Sequence, residues 1–286
     1  MPELPEVQTV VNELRRKIKG KKIKRVEVRA ERVAKPSSAV LRRQLPGKTI
    51  KQVERRAKMI VIDLVGDHNI LIHLKMTGQL VYVAKSGHKV SGGHPIGVVG
   101  ILPNKFSHVI IYFTDGSVLY FNDIRKFGWV RYAADSEKNL EKGKYGVEPF
   151  DKGYTLDHFK TLLKKYPKRK IKQLLMDQAL LAGVGNIYAD EACFAARIRP
   201  TRPADSLKEK EIRDLYAAIP RILKFAISKG GTSADNYVRT DGTKGRMLNY
   251  LKVYGREGEK CQRCGGVVKK IRLGGRGTHY CPSCQK

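Results

Sequence analysis

The sequence predicts an α+β fold with three parts: an N-terminal β-sandwich that begins with one helix, a helical domain, and a cysteine-rich β-hairpin. Apolar residues alternate with polar ones in many short runs between residues 21 and 132. Their spacing changes to three and four between residues 156 and 227, and four of the five cysteines follow residue 260. We therefore expect domains at 1–134, 135–257 and 258–286.

The charge balance of the chain is strongly basic. Its 286 residues include 57 Lys and Arg against 27 Asp and Glu, which gives a formal net charge of +30. A charge of this size and single sign exceeds what solubility requires and is typical of proteins that bind nucleic acid. An anionic membrane is the other polyanion, but no apolar run approaches the roughly 20 residues of a spanning helix. No signal peptide is recognisable, so we expect a cytoplasmic protein without a membrane partner.

The first seven residues combine two prolines with two carboxylates at the start of an amphipathic helix. One interpretation is structural, because proline suits the first turn of a helix and glutamate there faces the positive end of its dipole. The other interpretation is chemical. Removal of Met1 would leave Pro2 as a secondary amine with a pKa of about 8, able to attack a sugar or carbonyl carbon while Glu3 moves protons. Taken alone, the stretch favours the structural interpretation.

The residues after this opening predict one helix and then a series of strands. The helix has apolar residues at spacings of three and four and ends at Gly20. Residues 84–107 lack a period and predict a long loop, and the polar residues 135–153 predict a linker. The expected strands include 23–28, 59–64, 70–74, 109–113 and 118–121, with hairpin turns at Gly66-Asp67 and Asp115-Gly116.

Four segments with helical periodicity predict the second domain, at 156–163, 171–176, 189–196 and 207–227. Gly183 and Gly185 lie between two of them and allow tight turns directly before a helix. The backbone amides of such a helix start can bind phosphate, although a plain turn between helices fits the two glycines as well. Cys193 is predicted to be a small buried side chain.

The last four cysteines form two C-x-x-C pairs separated by sixteen residues, a spacing typical of zinc ribbons. Four thiolates suit a closed structural zinc site without an open position for catalysis, and disulfides are rare in the cytosol. We therefore expect one structural Zn²⁺ that stabilises a hairpin turning at 274–277, with Arg276 at its tip where it can approach phosphates. The expected ligands are Cys261, Cys264, Cys281 and Cys284.

Together these stretches resemble the formamidopyrimidine-DNA glycosylases, bifunctional repair enzymes of the wider endonuclease VIII superfamily. The resemblance covers nearly the whole chain. It implies a catalytic terminus on the sandwich, a helix-two-turn-helix domain and a zinc finger, with double-stranded DNA that carries a damaged base in the cleft. The matching stretches are PELPEV at 2–7, RRAK at 55–58, HLKMTG at 73–78, IRKFG at 124–128, LLMDQALLAGVGNIYADE at 174–191, GGTS at 230–233, VYGREGEKCQRCG, and GGRGTHYCPSCQK.

The chemistry that the resemblance implies begins with a damaged base flipped out of the duplex. Pro2 attacks C1′ of the sugar and releases the base, which leaves an iminium bound to the DNA. Glu3 donates and accepts protons as the sugar ring opens, and two eliminations then cut the strand without hydrolysis. Lys58 and Arg276 transfer protons or bind phosphates in these steps. Because arginine is nearly always charged, we favour phosphate binding for Arg276.

The resemblance also implies a set of DNA contacts. Met76, Arg125 and Phe127, called here the wedge residues, fill the void left by the extruded nucleotide. Arg125 faces the unpaired base, which would favour cytosine opposite the lesion. Three further residues match positions that contact phosphates, namely His73, Lys172 and Asn186. The base pocket is bordered by Glu6 and by the lesion loop, residues 232–245, including Thr232, Ser233 and Tyr237.

The chain departs from the family pattern at three places. Phe106 stands where a histidine often precedes the position of His108, so we do not carry over the DNA contact made there. Residues 246–249 replace the usual Tyr-Phe-x-Gln and are expected to change packing beneath the lesion loop. The insertion at 84–107 is longer than in many relatives.

The expected function is base-excision repair. It comprises removal of oxidised purines, with 8-oxoguanine and formamidopyrimidines as leading substrates, and lyase cleavage by β,δ-elimination. The protein would act as a monomer that associates with the nucleoid through DNA. An endonuclease VIII-like enzyme for oxidised pyrimidines is one alternative, but Leu4, Val7 and the complete wedge set favour the purine enzyme. A non-catalytic protein that binds damaged DNA is the other alternative.

Overall fold

The structure is a computed structural model that describes residues 1–93, 101–232 and 246–286. The chain divides into two compact units. The first contains Met1–Gly143 and Lys229–Leu248, and the second contains Lys144–Ser228 and Asn249–Lys286. The sequence places Lys229–Leu248 in the helical domain at 135–257, whereas this range is grouped with the first unit, and residues 249–257 belong to the second.

Two five-stranded sheets form the first unit and confirm the β-sandwich. The first sheet contains β1 (Ile23–Val28), β6 (Gly78–Val83), β7 (Lys89–Gly93), β8 (Ser107–Phe113) and β9 (Val118–Asp123). The second contains β2 (Ala34–Lys35), β3 (Ile50–Arg56), β4 (Met59–Leu64), β5 (His68–His73) and β10 (Trp129–Ala134). Their strand orders are β1-β8-β9-β6-β7 and β2-β10-β5-β4-β3. All described pairings within them are antiparallel except that of β10 with β2.

The first helix, α1 (Leu4–Ile18), lies against the same core as both sheets, as its apolar periodicity predicts. Its buried face joins Ile60 and Ile72 of one sheet with Val109 and Phe121 of the other in one hydrophobic cluster. This packing fixes the first turn of α1 relative to the sandwich. The α1 residues in the cluster are Val7, Val10, Val11, Leu14 and Ile18.

Two predictions about irregular segments were wrong. The expected loop at 84–107 contains strand β7, which pairs with β6 from Lys89 to Gly93. Gly93 has φ +123°, and a Cβ there would lie 2.5 Å from the Gly78 carbonyl oxygen. This edge strand therefore needs glycine, which weakens its sequence signal. The expected linker contains α3 (Asp135–Gly143), which has few apolar residues to reveal its period. A short helix, α2 (Ser38–Gln44), lies between β2 and β3.

The second unit contains α4 (Leu156–Lys165), α5 (Ile171–Met176), α6 (Asn186–Ala195) and α7 (Glu209–Ser228). It ends in the hairpin β11 (Lys269–Leu273) and β12 (Arg276–Tyr280). The Glu191 carboxylate of α6 accepts hydrogen bonds from the backbone amides of residues 252–254 at 2.9–3.0 Å. These bonds attach the chain leading to the hairpin to α6. Within the described ranges, every helix is too short or too polar to cross a membrane.

Truncation of a core side chain of α1 is expected to destabilise the protein. Leu14 is 2% exposed, so Leu14→Ala removes buried apolar surface and leaves a cavity. We expect the free energy of unfolding to fall by about 3 kcal/mol, measured by urea denaturation. Leu140 on α3 is 73% exposed, and Leu140→Ala should change the same quantity by less than about 0.5 kcal/mol. Equal losses in the two variants would contradict this assignment of the core.

Candidate active site and DNA-contacting residues

The terminal stretch that the sequence singles out lies in the first unit at the start of α1. Pro2, Glu3 and Glu6 are buried, whereas Met1 is more than half exposed. Glu3 is the residue that precedes the helix, and its N–H donates a hydrogen bond of 2.8 Å to Glu6 Oε2. The terminus is thus held by the helix that follows it.

Glu6 also connects α1 with the segment that leads into the lesion loop. Its Oε1 accepts hydrogen bonds from the Thr232 backbone N–H at 2.8 Å and from the Thr232 hydroxyl at 3.1 Å. Gly231 approaches the same carboxylate so closely that a Cβ would lie 2.9 Å from Oε1. Thr232 in turn pairs with Arg246, which closes the base of the loop. Ser233 and Tyr237 lie outside the described residues.

Lys58 and His73 are both buried in the first unit. Burial, together with the charges of Lys75 and Lys58, lowers the pKa of His73 from 6.5 to about 3. The imidazole is therefore neutral near pH 7, and its Nδ1 accepts a hydrogen bond of 3.0 Å from the Lys75 backbone N–H. The expected phosphate contact of His73 stays a prediction, and it would have to use Nε2–H as an uncharged donor.

The three wedge residues lie together on the surface of the first unit. Met76 and Phe127 are 43% and 42% exposed. Arg125 Nη1 donates to Met76 Sδ at 3.3 Å, and the guanidinium carbon lies 4.5 Å from the centre of the Phe127 ring. The Arg32 guanidinium lies 5.7 Å from the same ring. Sequence reasoning did not find Arg32, because no motif marks it.

The glycine turn before α6 has a defined geometry. Gly183 adopts φ +92°, and its N–H donates to Gln178 Oε1 at 2.9 Å. Gln178 Nε2 donates to the Val184 carbonyl at 2.7 Å, so one side chain shapes the turn. Asn186 is the first residue of α6, and its Oδ1 is buried without a hydrogen-bond partner among the described residues. Its expected phosphate contact stays a prediction.

Lys172 is buried within the second unit, and its expected phosphate contact stays a prediction. Its side chain is 1% exposed, and its Nζ lies 2.7 Å from Asp190 Oδ1. The ammonium also donates to the Gly277 carbonyl and the Thr278 hydroxyl, both at 2.9 Å. Lys172 therefore holds the C-terminal hairpin, and the sequence could not indicate this because its partners are distant in the chain.

The C-terminal hairpin has the expected turn and the expected metal ligands. Gly274 and Gly275 both have positive φ, as a two-residue hairpin turn requires, and exposed Arg276 follows them. The four predicted cysteine sulfurs all lie within 4.8 Å of one another. Two Sγ–Sγ distances are 3.9 Å and 3.5 Å, close to the roughly 3.8 Å between ligands of a tetrahedral Zn²⁺ with 2.3 Å Zn–S bonds. The sulfurs thus fit one structural zinc ion.

Comparisons with known proteins agree with this arrangement along the whole chain. The formamidopyrimidine-DNA glycosylase N-terminal domain model matches residues 1–130, the H2TH domain model of that enzyme matches 145–237, and a zinc finger model found in FPG and IleRS matches 258–286. The chain is 40% identical to the formamidopyrimidine-DNA glycosylases of Heliobacterium modesticaldum and Listeria monocytogenes, with all of each protein covered. The chain belongs to the formamidopyrimidine-DNA glycosylase family.

Solved structures of the family also resemble the chain over its full length. A Lactococcus lactis FPG mutant in complex with Fapy-dG containing DNA is 36% identical and superimposes with a TM-score of 0.88 over all of both chains. A complex of the Lactococcus lactis Fpg with abasic-site DNA gives the same identity and TM-score over 99% of both chains. These likenesses confirm the resemblance that the motifs indicate.

His73 is expected to make stability depend on pH. Its pKa is about 3 in the folded protein against 6.5 ordinarily, so the unfolded chain binds this proton first as the pH falls. Stability should therefore decline from about pH 6.5 towards pH 3, with a loss of about 2 kcal/mol at pH 5. His73→Asn keeps an acceptor near Nδ1 and should flatten the unfolding free energy between pH 6.5 and 4.5. His158→Asn at an exposed position should leave the profile unchanged, and identical profiles for both variants would contradict the assignment.

The cysteine cluster is expected to bind one zinc ion per chain, as native mass spectrometry would show. Cys264→Ser should lose the ion because a closed site needs all four thiolates. Cys193 lies in α6, outside the cluster and fully buried, and burial raises the pKa of its thiol. Cys193→Ala should therefore keep the zinc. Full zinc occupancy in the Cys264 variant would show that the four sulfurs do not act as a set.

Proposed function

We propose that this protein removes oxidised purines from double-stranded DNA and then cuts the strand at the resulting abasic site. The observation that carries the proposal is the buried Pro2-Glu3 terminus, held by α1 on the sandwich of a chain in this family. Formamidopyrimidine lesions are named in the enzymes it resembles, and Fapy-dG is present in a DNA complex of one relative.

Pro2 is the nucleophile in this mechanism. Once Met1 is removed, the Pro2 nitrogen is an amine, and it forms a bond to C1′ of the damaged nucleotide as the bond from C1′ to the base breaks. Opening of the sugar ring leaves an iminium between Pro2 and the DNA. Glu3 donates a proton to the ring oxygen and accepts protons afterwards. Loss of protons from successive sugar carbons expels the 3′ phosphate and then the 5′ phosphate.

Positive side chains hold the phosphates during these steps. Arg276 is exposed at the hairpin turn, where neighbouring glycines leave its guanidinium open to solvent, and we assign it to phosphate binding. Lys58 is buried near His73, and it either binds a phosphate or transfers a proton. The net charge of +30 supplies the wider attraction for the polyanion.

The wedge residues fill the void in the duplex and contact the strand opposite the lesion. Met76 and Phe127 occupy the space that the flipped nucleotide leaves, since apolar side chains can replace a base in the stack. Arg125 then donates to O2 and N3 of the unpaired base, which favours cytosine. Glu6 and Thr232 border the pocket for the flipped base. One amine terminus per chain is sufficient for this chemistry, so we propose a monomer that associates with the nucleoid through DNA.

A preference for oxidised pyrimidines is the second candidate function. One observation favours it: a Lactococcus lactis Fpg structure that matches this chain at 36% identity and a TM-score of 0.86 contains oxidised pyrimidine containing DNA. The two candidates share the nucleophile and the wedge. They differ only in which base the pocket accepts.

Borohydride trapping tests the proposed nucleophile. The chain prepared without Met1 should form a covalent complex with a duplex that contains 8-oxoguanine opposite cytosine. The same chain with Met1 retained has an amide in place of the amine, so it should bind the duplex without being trapped. Mass measurement of both proteins establishes the terminus. Equal trapping of both forms would exclude Pro2 as the nucleophile, and no trapping of either form would exclude the enzyme.

The choice of base is tested by cleavage of two matched duplexes. We expect faster cleavage with 8-oxoguanine than with thymine glycol at the same position and in the same sequence. The opposite order would support the pyrimidine enzyme while leaving the role of Pro2 intact.

A further inference from the structure

The carboxylate of Asp123 lies between the two chain segments that carry the wedge residues. Asp123 ends strand β9 and is fully buried. Its Oδ1 accepts hydrogen bonds from the Thr77 hydroxyl and, at 3.1 Å, from the Arg125 backbone N–H. Its Oδ2 accepts from the Gly128 backbone N–H at 2.7 Å. One side chain thus binds the residue after Met76, the main chain of Arg125 and the residue after Phe127.

Asp123 is itself held in place by its own main chain. Its N–H donates to the Phe106 carbonyl at 3.0 Å, and its carbonyl accepts from His108 Nε2 at 2.7 Å. These contacts give His108 a structural role beside the position where Phe106 departs from the family pattern. The carboxylate therefore has a fixed location from which it can order the loops around it.

Gly128, at the end of the loop that follows Asp123, is tightly enclosed by its neighbours. A Cβ at Gly128 would lie 2.8 Å from the Phe121 ring, 2.9 Å from the His73 carbonyl and 3.0 Å from Asp123 Oδ2. Lys126 has φ +54°, a left-handed conformation that a non-glycine residue adopts only at a cost. The hydrogen bonds to Asp123 span this strained turn and offset that cost.

We propose that Asp123 is a positioning residue that sets the wedge residues before DNA binds, and so determines how well the opposite base is read. The inference rests on the proposed function. The wedge side chains are partly exposed in the structure, and Arg125 already contacts Met76 and Phe127. They can therefore fill the space left by the flipped nucleotide without a further change in the loops that carry them. Preorganisation of this kind removes an entropic cost from the binding step.

The chemistry of the site requires a carboxylate. Three donors converge on Asp123, and an ionised carboxylate accepts at both oxygens. In Asp123→Asn one oxygen becomes an NH₂ group. At the position of Oδ2 this group leaves the buried Gly128 N–H without an acceptor, and at the position of Oδ1 it faces the Arg125 N–H, which then keeps only the Thr77 hydroxyl oxygen at 3.1 Å. An unsatisfied buried donor costs about 1–3 kcal/mol, enough to release one segment of the loop.

The test compares Asp123→Asn with Asp115→Asn in the full-length protein. Asp115 lies at the other end of the same β8–β9 hairpin and also accepts a backbone N–H, that of Ser117 at 3.0 Å. Excision of 8-oxoguanine opposite cytosine should fall about tenfold or more in Asp123→Asn, and its preference for cytosine over adenine opposite the lesion should shrink. Cleavage of an abasic site in single-stranded DNA leaves no void to fill, so it should stay within about twofold of the unmodified protein. Asp115→Asn should change neither the rate of excision nor the preference for cytosine opposite the lesion.

Trp129 gives an independent readout of loop position. It is the only tryptophan in the sequence, it directly follows Gly128, and its ring lies 5.9 Å from that of His73. The fluorescence emission of Trp129 should shift in the Asp123→Asn protein without DNA, and it should not shift in Asp115→Asn. Thr77→Val loses the hydrogen bond that the Thr77 hydroxyl donates to Asp123 and the one that its oxygen accepts from the Arg125 N–H at 3.1 Å, while the other two bonds to Asp123 remain. It should show a smaller version of both effects, and Thr77→Ser should behave as the unmodified protein.

Three outcomes would overturn the proposal: an unchanged opposite-base preference in Asp123→Asn, a loss of single-strand cleavage as large as the loss of excision, or equal effects in Asp115→Asn. Thr77→Val keeps the inference testable if Asp123→Asn does not fold. The unmodified protein separates this proposal from the proposed function. If it cleaves the damaged duplex while the Asp123 and Thr77 variants match it, only the positioning role fails.

Discussion

Burial of the apolar face of α1 in the sandwich core is the constraint on which the candidate active site depends. Chain termini are ordinarily the least ordered part of a protein. Here the helix begins at Leu4, which is fully buried, only two residues after Pro2. Pro2 therefore cannot move far unless α1 leaves a core that both sheets share. The hydrophobic effect thereby supplies the positional restraint that the proposed attack of Pro2 on a single sugar carbon requires.

Buried carboxylates supply the finer restraints. The chain has only 27 acidic residues against 57 basic ones, and several of the acids point inward. Glu6 joins α1 to Thr232, Asp123 joins the two wedge segments, and Asp190 pairs with Lys172 beneath the hairpin. Burial raises the pKa of Glu191 although three backbone amides stabilise its charge. Acids used in this way organise polar segments from inside and leave the surface basic for a polyanion.

Local signals in the sequence were sufficient for most of the fold. Strands β1 and β4 begin and end where their alternation predicts, and the two glycines at 274–275 form the expected hairpin turn. Features that depend on distant partners were not predictable. From the local sequence, Lys172 is predicted to be a surface lysine. Its partners Asp190, Gly277 and Thr278 come 18 to 106 residues later, so no local pattern indicates them. Strand β7 is stabilised by pairing with β6, and its own residues carry almost no period.

Motifs in the sequence indicate the candidate site residues but not all of the residues that hold them. The motifs mark the side chains that are proposed to meet the DNA, whereas Asp123, which accepts hydrogen bonds from both wedge segments, lies outside every matching stretch. The proposed attack by an amine on C1′ does not depend on the identity of the base, so in this mechanism discrimination between bases has to come from the proposed pocket and the wedge residues. Those parts lie on loops and strand ends, where geometry is not fixed by a core. A buried carboxylate that accepts several hydrogen bonds is the means by which this fold gives such loops the rigidity that α1 obtains from packing.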